Sequence, residues 1–296
     1  MTGTARETPE FLTVPELAAL LRIKERKVYD LAASGAVPCS KVTGKLLFPE
    51  NEVRAWIAAA ASPGTGAQTA RAAIFAGSHD PLLDWALRQS RCGIPSYFDG
   101  SFDGLDRFAA GEAMATGLHI HDADSDSWNI AAAKDRLAGQ NVVLLGFATR
   151  QRGLILRPGD AAAIRGIGDL PGRRCVPRQR ESGSHALFAH LCAESGLTEA
   201  ALTLTEPARS ETDAVLAVQT GAADVAFGLA ALAVPYGLAF VPLVTERFDL
   251  LVDRKAWFDP PLQRFQEFVQ SDSFASHAAT LAGYDLSDLG QVRWNA

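Results

Sequence analysis

The sequence predicts an α/β protein that is built from a small N-terminal domain and a larger C-terminal one. The chain has 296 residues, which is more than one ordinary hydrophobic core organises. Residues 62–70 carry no large apolar side chain and are typical of a linker. From residue 71 onward, strand-like and helix-like segments alternate, which is typical of largely parallel sheets with packed helices.

The charge is unevenly distributed between these two parts. The chain has a net charge of -6, yet residues 1–60 hold eight Lys or Arg against seven Asp or Glu. The remaining residues are clearly acidic, so they would repel a polyanion such as DNA. Only the N-terminal segment is therefore a candidate for contact with nucleic acid.

Composition excludes several classes of protein. No run of apolar residues approaches the 18 that a membrane span needs. The N-terminus lacks the basic start and apolar run of a secretory signal. The four cysteines have neither metal-like nor disulfide-like spacing: Cys39, Cys92, Cys175 and Cys192. We therefore expect a cytoplasmic protein with reduced thiols and no membrane partner.

Three helices are predicted in the N-terminal segment. Thr13 and Glu16 have the spacing of a capping box, which predicts the first helix and its apolar stripe of Leu17, Leu20 and Leu21. The second helix is predicted from Lys24 to Ser34, ending at Gly35. A hairpin with Gly44-Lys45 at its tip follows. The third helix comes after Phe48-Pro49, with Val53, Trp56 and Ile57 expected to face inward.

Two helices, a turn, a basic hairpin and a closing helix predict a winged helix-turn-helix over residues 1–61. In such folds the N-terminal residues of the second helix meet base edges and the wing contacts phosphates. The residues predicted to contact DNA are Lys24, Arg26, Lys27 and Tyr29 on the second helix, with Lys41, Thr43 and Lys45 on the wing.

This segment resembles the excisionase-type DNA-binding domain, which is related to the MerR group. The matching motifs are Leu-Thr-Val-Pro-Glu-Leu-Ala at 12–18, Val28-Tyr29, Ser-Gly-Ala-Val-Pro at 34–38, and Phe48-Pro49 ahead of the helix with Trp56. The resemblance implies binding to a double-stranded DNA operator.

The larger segment places small hydroxyl residues where predicted strands give way to helices. Helix N-termini expose unpaired N–H groups and a positive dipole end, which attract anions. Ligands of open α/β sheets lie beyond the carboxyl ends of the strands. The four junctions are Gly77-Ser78, Gly100-Ser101, Ser182-Gly183-Ser184 and Ser210-Glu211-Thr212. Together they predict an anion site that needs no formal positive charge.

Residues 71–290 resemble the periplasmic-binding-protein-like sensor domain that follows excisionase-type readers. That domain is similar to the molybdate- and tungstate-binding proteins of ABC transporters. The matching stretches include Gly-Ser-His-Asp-Pro at 77–81, Arg-Gln-Arg-Gly-Leu at 150–154, Ser-Gly-Ser at 182–184 and Glu-Arg-Phe-Asp-Leu at 246–250. The resemblance implies a two-lobed, type II periplasmic-binding-protein-like domain over 71–296, with molybdate, tungstate or another small anion as the effector and no cofactor.

Chain crossings near residues 147–152 and 245–248 divide this domain into lobe one, 71–146 with 248–296, and lobe two, 152–244. The ligand is expected between the lobes. The predicted ligand-binding residues are Ser78, His79, Ser101, Arg180, Ser182, Gly183, Ser184 and Thr212. We also expect a homodimer, because one small reader buries too little surface for high specificity.

Other interpretations remain open at this point. The same architecture is compatible with a small organic anion or a molybdenum-cofactor-related compound, with Arg178, Arg180 and Arg209 pairing its charge. An intracellular solute-binding protein that does not bind DNA is a second alternative. His119 and His121 resemble a metal pair but lack a third ligand, so no metal site is predicted. There is no nucleophile elbow or P-loop, so neither a catalytic residue nor an enzymatic activity is predicted.

Overall fold

The computed structural model describes residues 11–41, 44–60 and 71–296. The chain divides into two compact units, Met1–Gln68 and Thr69–Ala296. The predicted linker at 62–70 and the predicted wing residue Thr43 lie outside the described residues.

Over residues 11–41 and 44–60, the smaller unit contains three helices and a two-stranded antiparallel sheet. Thr13 and Glu16 form the expected capping box at the start of the first helix, with Glu16 Oε2 accepting from the Thr13 backbone N–H at 2.8 Å. Arg22 adopts the left-handed conformation, φ 54°, which turns the chain toward the second helix. The elements are β1 (Phe11–Leu12), α1 (Val14–Leu21), α2 (Glu25–Ala33), β2 (Phe48–Pro49) and α3 (Glu50–Ala60).

The core of this unit is made by one side chain or more from each element. Leu17, Val28, Phe48 and Val53 are fully buried. The structure departs from the predicted apolar stripes at two residues, because Leu20 is 40% exposed and Ile57 is 37% exposed. A three-helix unit this small has too few facing elements to cover every apolar residue of each stripe.

An antiparallel bridge follows α2 at the position predicted for the wing. Ser40 and Leu47 exchange two backbone hydrogen bonds, of 2.8 and 3.0 Å, as an antiparallel bridge. Gly44 has a φ of +79° between them, which a glycine adopts without steric cost.

The larger unit alternates strands and helices, and two helices followed by two short strands complete it. Its strands are β3 (Phe75–Gly77), β4 (Ser96–Phe98), β5 (Ala115–Leu118), β6 (His121–Asp122), β7 (Ser127–Trp128), β8 (Val142–Leu156), β9 (Arg174–Val176), β10 (Thr203–Leu204), β11 (Val225–Leu229), β12 (Ala239–Asp253), β13 (Tyr284–Asp285) and β14 (Val292–Asn295). Its helices are α4 (Pro81–Gln89), α5 (Ser101–Ala109), α6 (Ile130–Leu137), α7 (Gly183–Glu194), α8 (Glu211–Gln219), α9 (Ala230–Ala233), α10 (Pro260–Val269) and α11 (Asp272–Ala278).

Ten of these strands form one sheet with the order β10-β9-β11-β8-β12-β5-β3-β4, and β13 and β14 also pair with β8. Strands β3, β4 and β5 are parallel and form the sheet of a first lobe. Strands β9, β10 and β11 are likewise parallel and form the sheet of a second lobe. The β6–β7 hairpin is separate from this sheet.

Two long antiparallel strands, β8 and β12, join the lobes. At one end β12 pairs with β5 of the first lobe, and at the other end β8 pairs with β11 of the second lobe. Their mutual register places Glu246 opposite Arg150 and Val244 opposite Arg152. Charged residues therefore lie where the chain passes between the lobes.

Each lobe has its own hydrophobic cores. In the first lobe, Phe75, Leu83 and Phe265 belong to one core, while Leu105 and Phe108 belong to another. In the second lobe the cores include Leu154 and Leu187 on one side, and Val215 and Ala226 on the other. Because each lobe packs around separate cores, the polar residues between them are free to form a site. No helix in the described ranges is long and apolar enough to cross a membrane.

Candidate functional site

A small polar cavity lies between the two lobes, at the carboxyl ends of their parallel strands. Its volume is about 80 Å³. A cavity of this size suits one compact molecule and is well below the volume of pockets for drug-sized ligands, about 300–1,000 Å³. The lining residues are Ser78, His79, Phe98, Gly100, His119, Arg178, Ser182, Ser184, Arg209, Ser210 and Glu211.

The first lobe contributes a serine pair at the ends of β3 and β4. The hydroxyls of Ser78 and Ser101 lie 2.7 Å apart, and Ser101 Oγ also accepts from the backbone N–H of His119. Ser78 does not cap the following helix, because Asp80 does so by accepting from the N–H of Leu83. The Ser78 hydroxyl is therefore available at the cavity wall, with Ser101 fully buried behind it.

Two glycines permit this arrangement. Gly77 has a φ of +105°, and a Cβ there would lie 2.3 Å from the Gly117 carbonyl oxygen. Gly100 has a φ of +119°, and a Cβ there would lie 2.7 Å from the carbonyl oxygen of Glu181. A side chain at Gly100 would therefore separate the two lobes at the cavity.

The second lobe contributes the starts of α7 and α8. Ser182 is the N-cap of α7, accepting from the N–H of His185, so its hydroxyl is engaged within the helix. Ser184 donates instead to Glu211 Oε1 at 2.9 Å. Ser210 caps α8 together with Asp213. Of these three hydroxyls, the one of Ser184 donates to a carboxylate, whereas those of Ser182 and Ser210 cap helices.

Four of the eight ligand-binding residues that the sequence predicts line the cavity: Ser78, His79, Ser182 and Ser184. Gly183 is buried just behind it, where a Cβ would lie 2.5 Å from the His119 carbonyl oxygen. Arg180 is exposed and Thr212 half-buried, and neither of them lines the cavity. The chain turns after Gln179, whose carbonyl accepts from the Ser182 N–H, and this turn carries Arg180 away.

Two arginines line the cavity, Arg178 and Arg209, and the Arg209 side chain is 79% exposed whereas two guanidinium nitrogens of Arg178 are buried. Pro177, the neighbour of Arg178, accepts from the Ala208 N–H, so Arg178 continues the parallel pairing beyond β9 before the turn begins. One nitrogen, Nη2, donates to the Arg209 carbonyl at 3.0 Å. The other two, Nε and Nη1, are buried and have no hydrogen-bond partner. Burial lowers the pKa of Arg178, and the attraction of Glu211 opposes this shift.

A continuous chain of buried charges runs beneath the cavity and through both crossing strands. We define the buried charge chain as Asp80, Arg150, Glu246, Arg152 and Glu211, none more than 3% exposed. Arg150 contacts Asp80 at 2.7 Å and Glu246 at 2.5 Å. Arg152 contacts Glu246 at 2.9 Å and Glu211 at 3.0 Å. Each guanidinium therefore lies between two carboxylates.

These contacts determine which groups are charged. Burial raises the pKa of Glu246, but Arg150 and Arg152 together lower it further, so the net shift is well below its usual range. Burial also raises the pKa of Glu211, and Arg152 and Arg178 bring it down to about 2. Burial lowers the pKa of His119, whose Nδ1 lies 3.1 Å from Glu246, more than that carboxylate raises it. Glu246 and Glu211 are therefore ionised and His119 is neutral near pH 7.

In the sequence, the Arg-Gln-Arg stretch marks a chain crossing and belongs to the motifs of the family resemblance, but no role in the site is predicted for Arg150 or Arg152. The signal for such a role is the spacing of these two arginines within a 15-residue strand that is otherwise mostly apolar. Alternate residues of a strand point to the same side, so both arginines face one buried layer and require carboxylates there.

The two lobes touch directly at the rim of the cavity. Gln179 donates to Asp99 Oδ1 at 2.8 Å, and Arg209 Nη2 lies 3.6 Å from the same oxygen. The backbone N–H of Phe102 donates to the Glu181 carbonyl at 3.3 Å. The structure therefore shows a closed arrangement of the lobes around a small cavity.

The smaller unit presents a second candidate site, which we call the reader surface: Lys24, Arg26, Lys27, Tyr29, Lys41 and Lys45. All six side chains are exposed, and Tyr29 is 52% exposed. Lys24 is the N-cap of α2, one residue before the helix, and Arg26 and Lys27 lie in its first turn. Among the described residues, none of these cations forms an ion pair. Their charge is available to an external anion.

The two histidines of the paired pattern contact different carboxylates, His119 beside Glu246 and His121 beside Asp126. His121 lies 3.0 Å from Asp126 and its ring stands 5.0 Å from that of His190. Within the part of the chain that the structure describes, no group of three or more His, Cys, Asp or Glu side chains is placed to hold a metal ion.

Comparison with known families matches both units. A PBP superfamily domain matches residues 85–270, and a helix-turn-helix domain matches residues 11–61. The excisionase of Streptomyces ambofaciens is 42% identical over 50 residues, covering 17% of this chain and 81% of that protein. The uncharacterized protein YvgK of Bacillus subtilis (strain 168) is 24% identical over 299 residues, covering 95% of this chain and 96% of YvgK.

Solved structures resemble the larger unit. The sulfate-binding protein SubI of Mycobacterium tuberculosis has a TM-score of 0.52 at 17% identity, covering 74% of this chain and 88% of SubI. An ABC-transporter substrate-binding protein with bound phosphate from Clostridium perfringens has a TM-score of 0.50 at 14% identity, covering 70% and 96%. These similarities confirm the predicted fold class, an N-terminal helix-turn-helix followed by an α/β domain of the type II periplasmic-binding-protein kind.

Proposed function

We propose that this chain, which belongs to the PBP superfamily and carries a helix-turn-helix of the excisionase type, is a transcription regulator. It binds DNA and responds to a ligand. The effector in this proposal is a small anion that binds between the lobes. The protein acts in the cytoplasm, as a homodimer on a double-stranded operator. The observation that carries the proposal is the buried, incompletely paired guanidinium of Arg178 at the cavity, in a chain that also has a reader surface.

The reader surface supports the DNA part. Helix N-termini attract phosphates through their unpaired N–H groups, and α2 begins beside three cations. Glu25 and Asp30 partly offset these charges on the same helix, so the affinity for DNA would come from oriented contacts rather than from net charge alone.

The cavity supports a compact anion. Pockets for drug-sized ligands have volumes of about 300–1,000 Å³, and this cavity has about 80 Å³. That difference favours an inorganic oxyanion or a very small organic acid over a molybdenum-cofactor-related compound. SubI is a sulfate-binding protein and the Clostridium perfringens structure holds bound phosphate, and both ligands are small oxyanions. Molybdate and tungstate, which the sequence resemblance implies, are of the same kind.

A solute-binding protein that does not bind DNA is the second candidate function. It shares the cavity but needs no reader surface, so the two functions differ in their dependence on Arg26 and Lys27. An operator that binds the purified chain with sequence specificity would distinguish them.

The test measures operator affinity by gel shift with and without each of molybdate, tungstate, phosphate, sulfate and small organic acids. Wild type should respond to at least one anion. Arg178→Ala should retain operator binding and lose the response, because a cavity donor is gone. Arg180→Ala is the matched control: it removes the same side chain two residues away, outside the cavity, and should respond as wild type does.

Equal responses of wild type and Arg178→Ala would place the effector outside this cavity. A wild-type operator affinity that no anion changes would contradict ligand-responsive regulation, and the absence of specific operator binding would favour the second candidate function.

A further inference from the structure

Glu211 brings a carboxylate to a cavity otherwise suited to an anion. It is the first residue of α8, 3% exposed, and it lines the cavity. Its Oε1 accepts from Arg152 Nη1 at 3.0 Å and from Ser184 Oγ at 2.9 Å. Its other oxygen, Oε2, is buried and has no hydrogen-bond partner. The carboxylate therefore has unused capacity to accept a hydrogen bond.

The surroundings keep this carboxylate ionised. Although burial raises the pKa of Glu211, Arg152 and Arg178 lower it to about 2. The geometry supports the same assignment, because Oε1 already accepts from two donors and the side chain is fixed by them. An ionised carboxylate accepts hydrogen bonds and donates none. A ligand atom beside it must therefore carry a hydrogen.

Arg178 imposes the opposite requirement on the same ligand. Its buried Nε and Nη1 have no partner and can only donate, so they call for an anionic or carbonyl oxygen. Arg178 and Glu211 carry opposite single charges, and Arg209, the other arginine of the lining, has its side chain 79% exposed to solvent. In a cavity of about 80 Å³, a ligand held by Arg178 lies close to Glu211. A fully deprotonated oxyanion there would set its lone pairs against those of Glu211, with no hydrogen to donate to them.

We propose that the effector carries a hydrogen-bond donor next to its anionic group, with Arg178 binding the anionic oxygen and Glu211 accepting the O–H or N–H. This inference rests on the proposed function, in which the cavity holds the effector. The ligand class is a protonated oxyanion such as hydrogenphosphate, or a very small hydroxy or amino acid. Sulfate, molybdate and tungstate, which are fully deprotonated near pH 7, bind weakly to such a site.

The experiment is calorimetric titration of the full chain with matched probes that differ in the donor. Hydrogenphosphate is compared with sulfate, and glycolate and glycine are compared with acetate. Wild type should bind at least one donor-bearing probe at least tenfold more tightly than its donor-free counterpart. Whether the phosphate pair or the glycolate and glycine set shows this preference identifies the source of the donor.

Glu211→Gln tests the residue itself. Its amide can donate as well as accept, so sulfate or molybdate should gain at least tenfold in affinity and the preference for donor-bearing probes should fall. Glu206→Gln, the same change at an exposed carboxylate outside the cavity, should behave as wild type. If Glu211→Gln does not fold, the matched probes still decide the question on wild type.

Wild-type binding of sulfate or molybdate as tight as that of every donor-bearing probe would overturn this inference and leave the small-anion effector in place. An unchanged preference in folded Glu211→Gln would also overturn it. If no probe binds to wild type and no anion alters operator affinity, the proposed function fails with it.

Discussion

The reader surface and the buried charge chain both depend on arginine, but the two regions use it in opposite ways. Arg26 is exposed, and in the described residues it has no ion-pair partner. Arg150 is fully buried and held between Asp80 and Glu246. An exposed charge in water interacts weakly with its own protein and remains available to a partner such as DNA. A buried charge must be paired by the fold itself.

Because of this difference, we expect the loss of a charge to affect binding in one region and stability in the other. On the reader surface the loss should reduce binding and leave stability nearly unchanged. In the buried charge chain the loss leaves an unpaired ion in a dehydrated layer, so it should reduce stability first. Three measurements test this difference between exposed and buried charges.

The largest effect is expected from Glu246→Gln. Glu246 is fully buried and contacts both Arg150 and Arg152, so its loss leaves two guanidinium groups partly uncompensated. We expect a loss of about 3–5 kcal/mol in the free energy of unfolding. Equilibrium urea unfolding of the full chain measures it.

Arg88→Gln provides the control on a surface ion pair. Arg88 Nη1 lies 2.6 Å from Asp84, but its side chain is 65% exposed, so we expect a loss of about 0–1 kcal/mol. If the two variants lose equal stability, burial does not separate the two kinds of charge.

The second largest effect is expected at Asp249, through the dependence of the free energy of unfolding on pH. It is 1% exposed, and burial raises the pKa of its carboxyl to about 6, although the Asn129 hydrogen bond and Arg293 act to lower it. The unfolded carboxyl titrates near pH 4, so the folded state binds the extra proton between these values. Binding of that proton contributes about 3 kcal/mol to the free energy of unfolding. The contribution is fully present below about pH 4 and is lost as the pH rises through 6.

Asp249→Asn removes this titration. The new amide oxygen can still accept from Asn129 Nδ2, which lies 2.7 Å from the carboxylate in the wild-type chain. The variant should gain about 3 kcal/mol relative to wild type between pH 4 and pH 8, measured by urea unfolding across that range. Asp135→Asn, at a side chain that is 81% exposed, controls for the loss of one charge. A stability difference that stays constant with pH would contradict the prediction.

The smallest effect is expected on the reader surface. Arg26→Ala and Lys27→Ala should each weaken operator binding by about 1–3 kcal/mol where the side chain meets a base. Each should change the free energy of unfolding by less than about 0.5 kcal/mol, because both side chains are exposed.

Gel shifts across a salt series measure this binding, with Lys134→Ala, an exposed lysine of the larger unit, as the control. Operator affinity that is unchanged in the double variant Arg26→Ala/Lys27→Ala would move the DNA contact elsewhere.

Local pattern was sufficient for much of the fold. The capping box at Thr13, the end of the second helix before Gly35 and the strand-to-helix junctions at Gly77 and Gly100 all follow from interactions among neighbours in sequence. The inward positions of Leu17, Val28 and Val53 follow from helical periodicity. Leu20 and Ile57 are more exposed than predicted. Periodicity shows which face of a helix a residue lies on, but its exposure depends on which other elements cover that face.

Some residues of the candidate site could likewise be predicted from local sequence, and others could not. The small hydroxyl residues after the strands could be predicted from the sequence, because helix starts and chain turns are local, and Ser78 and Ser184 do line the cavity. That Arg178 reaches the cavity while Arg180 does not, and that Glu211 lies against Arg152, 59 residues away in the chain, follows from the tertiary structure. Backbone preference acts over a few residues, whereas the pairing of buried charges is set by which strands lie together. That pairing exists only once β8, β12 and the start of α8 have been packed against one another.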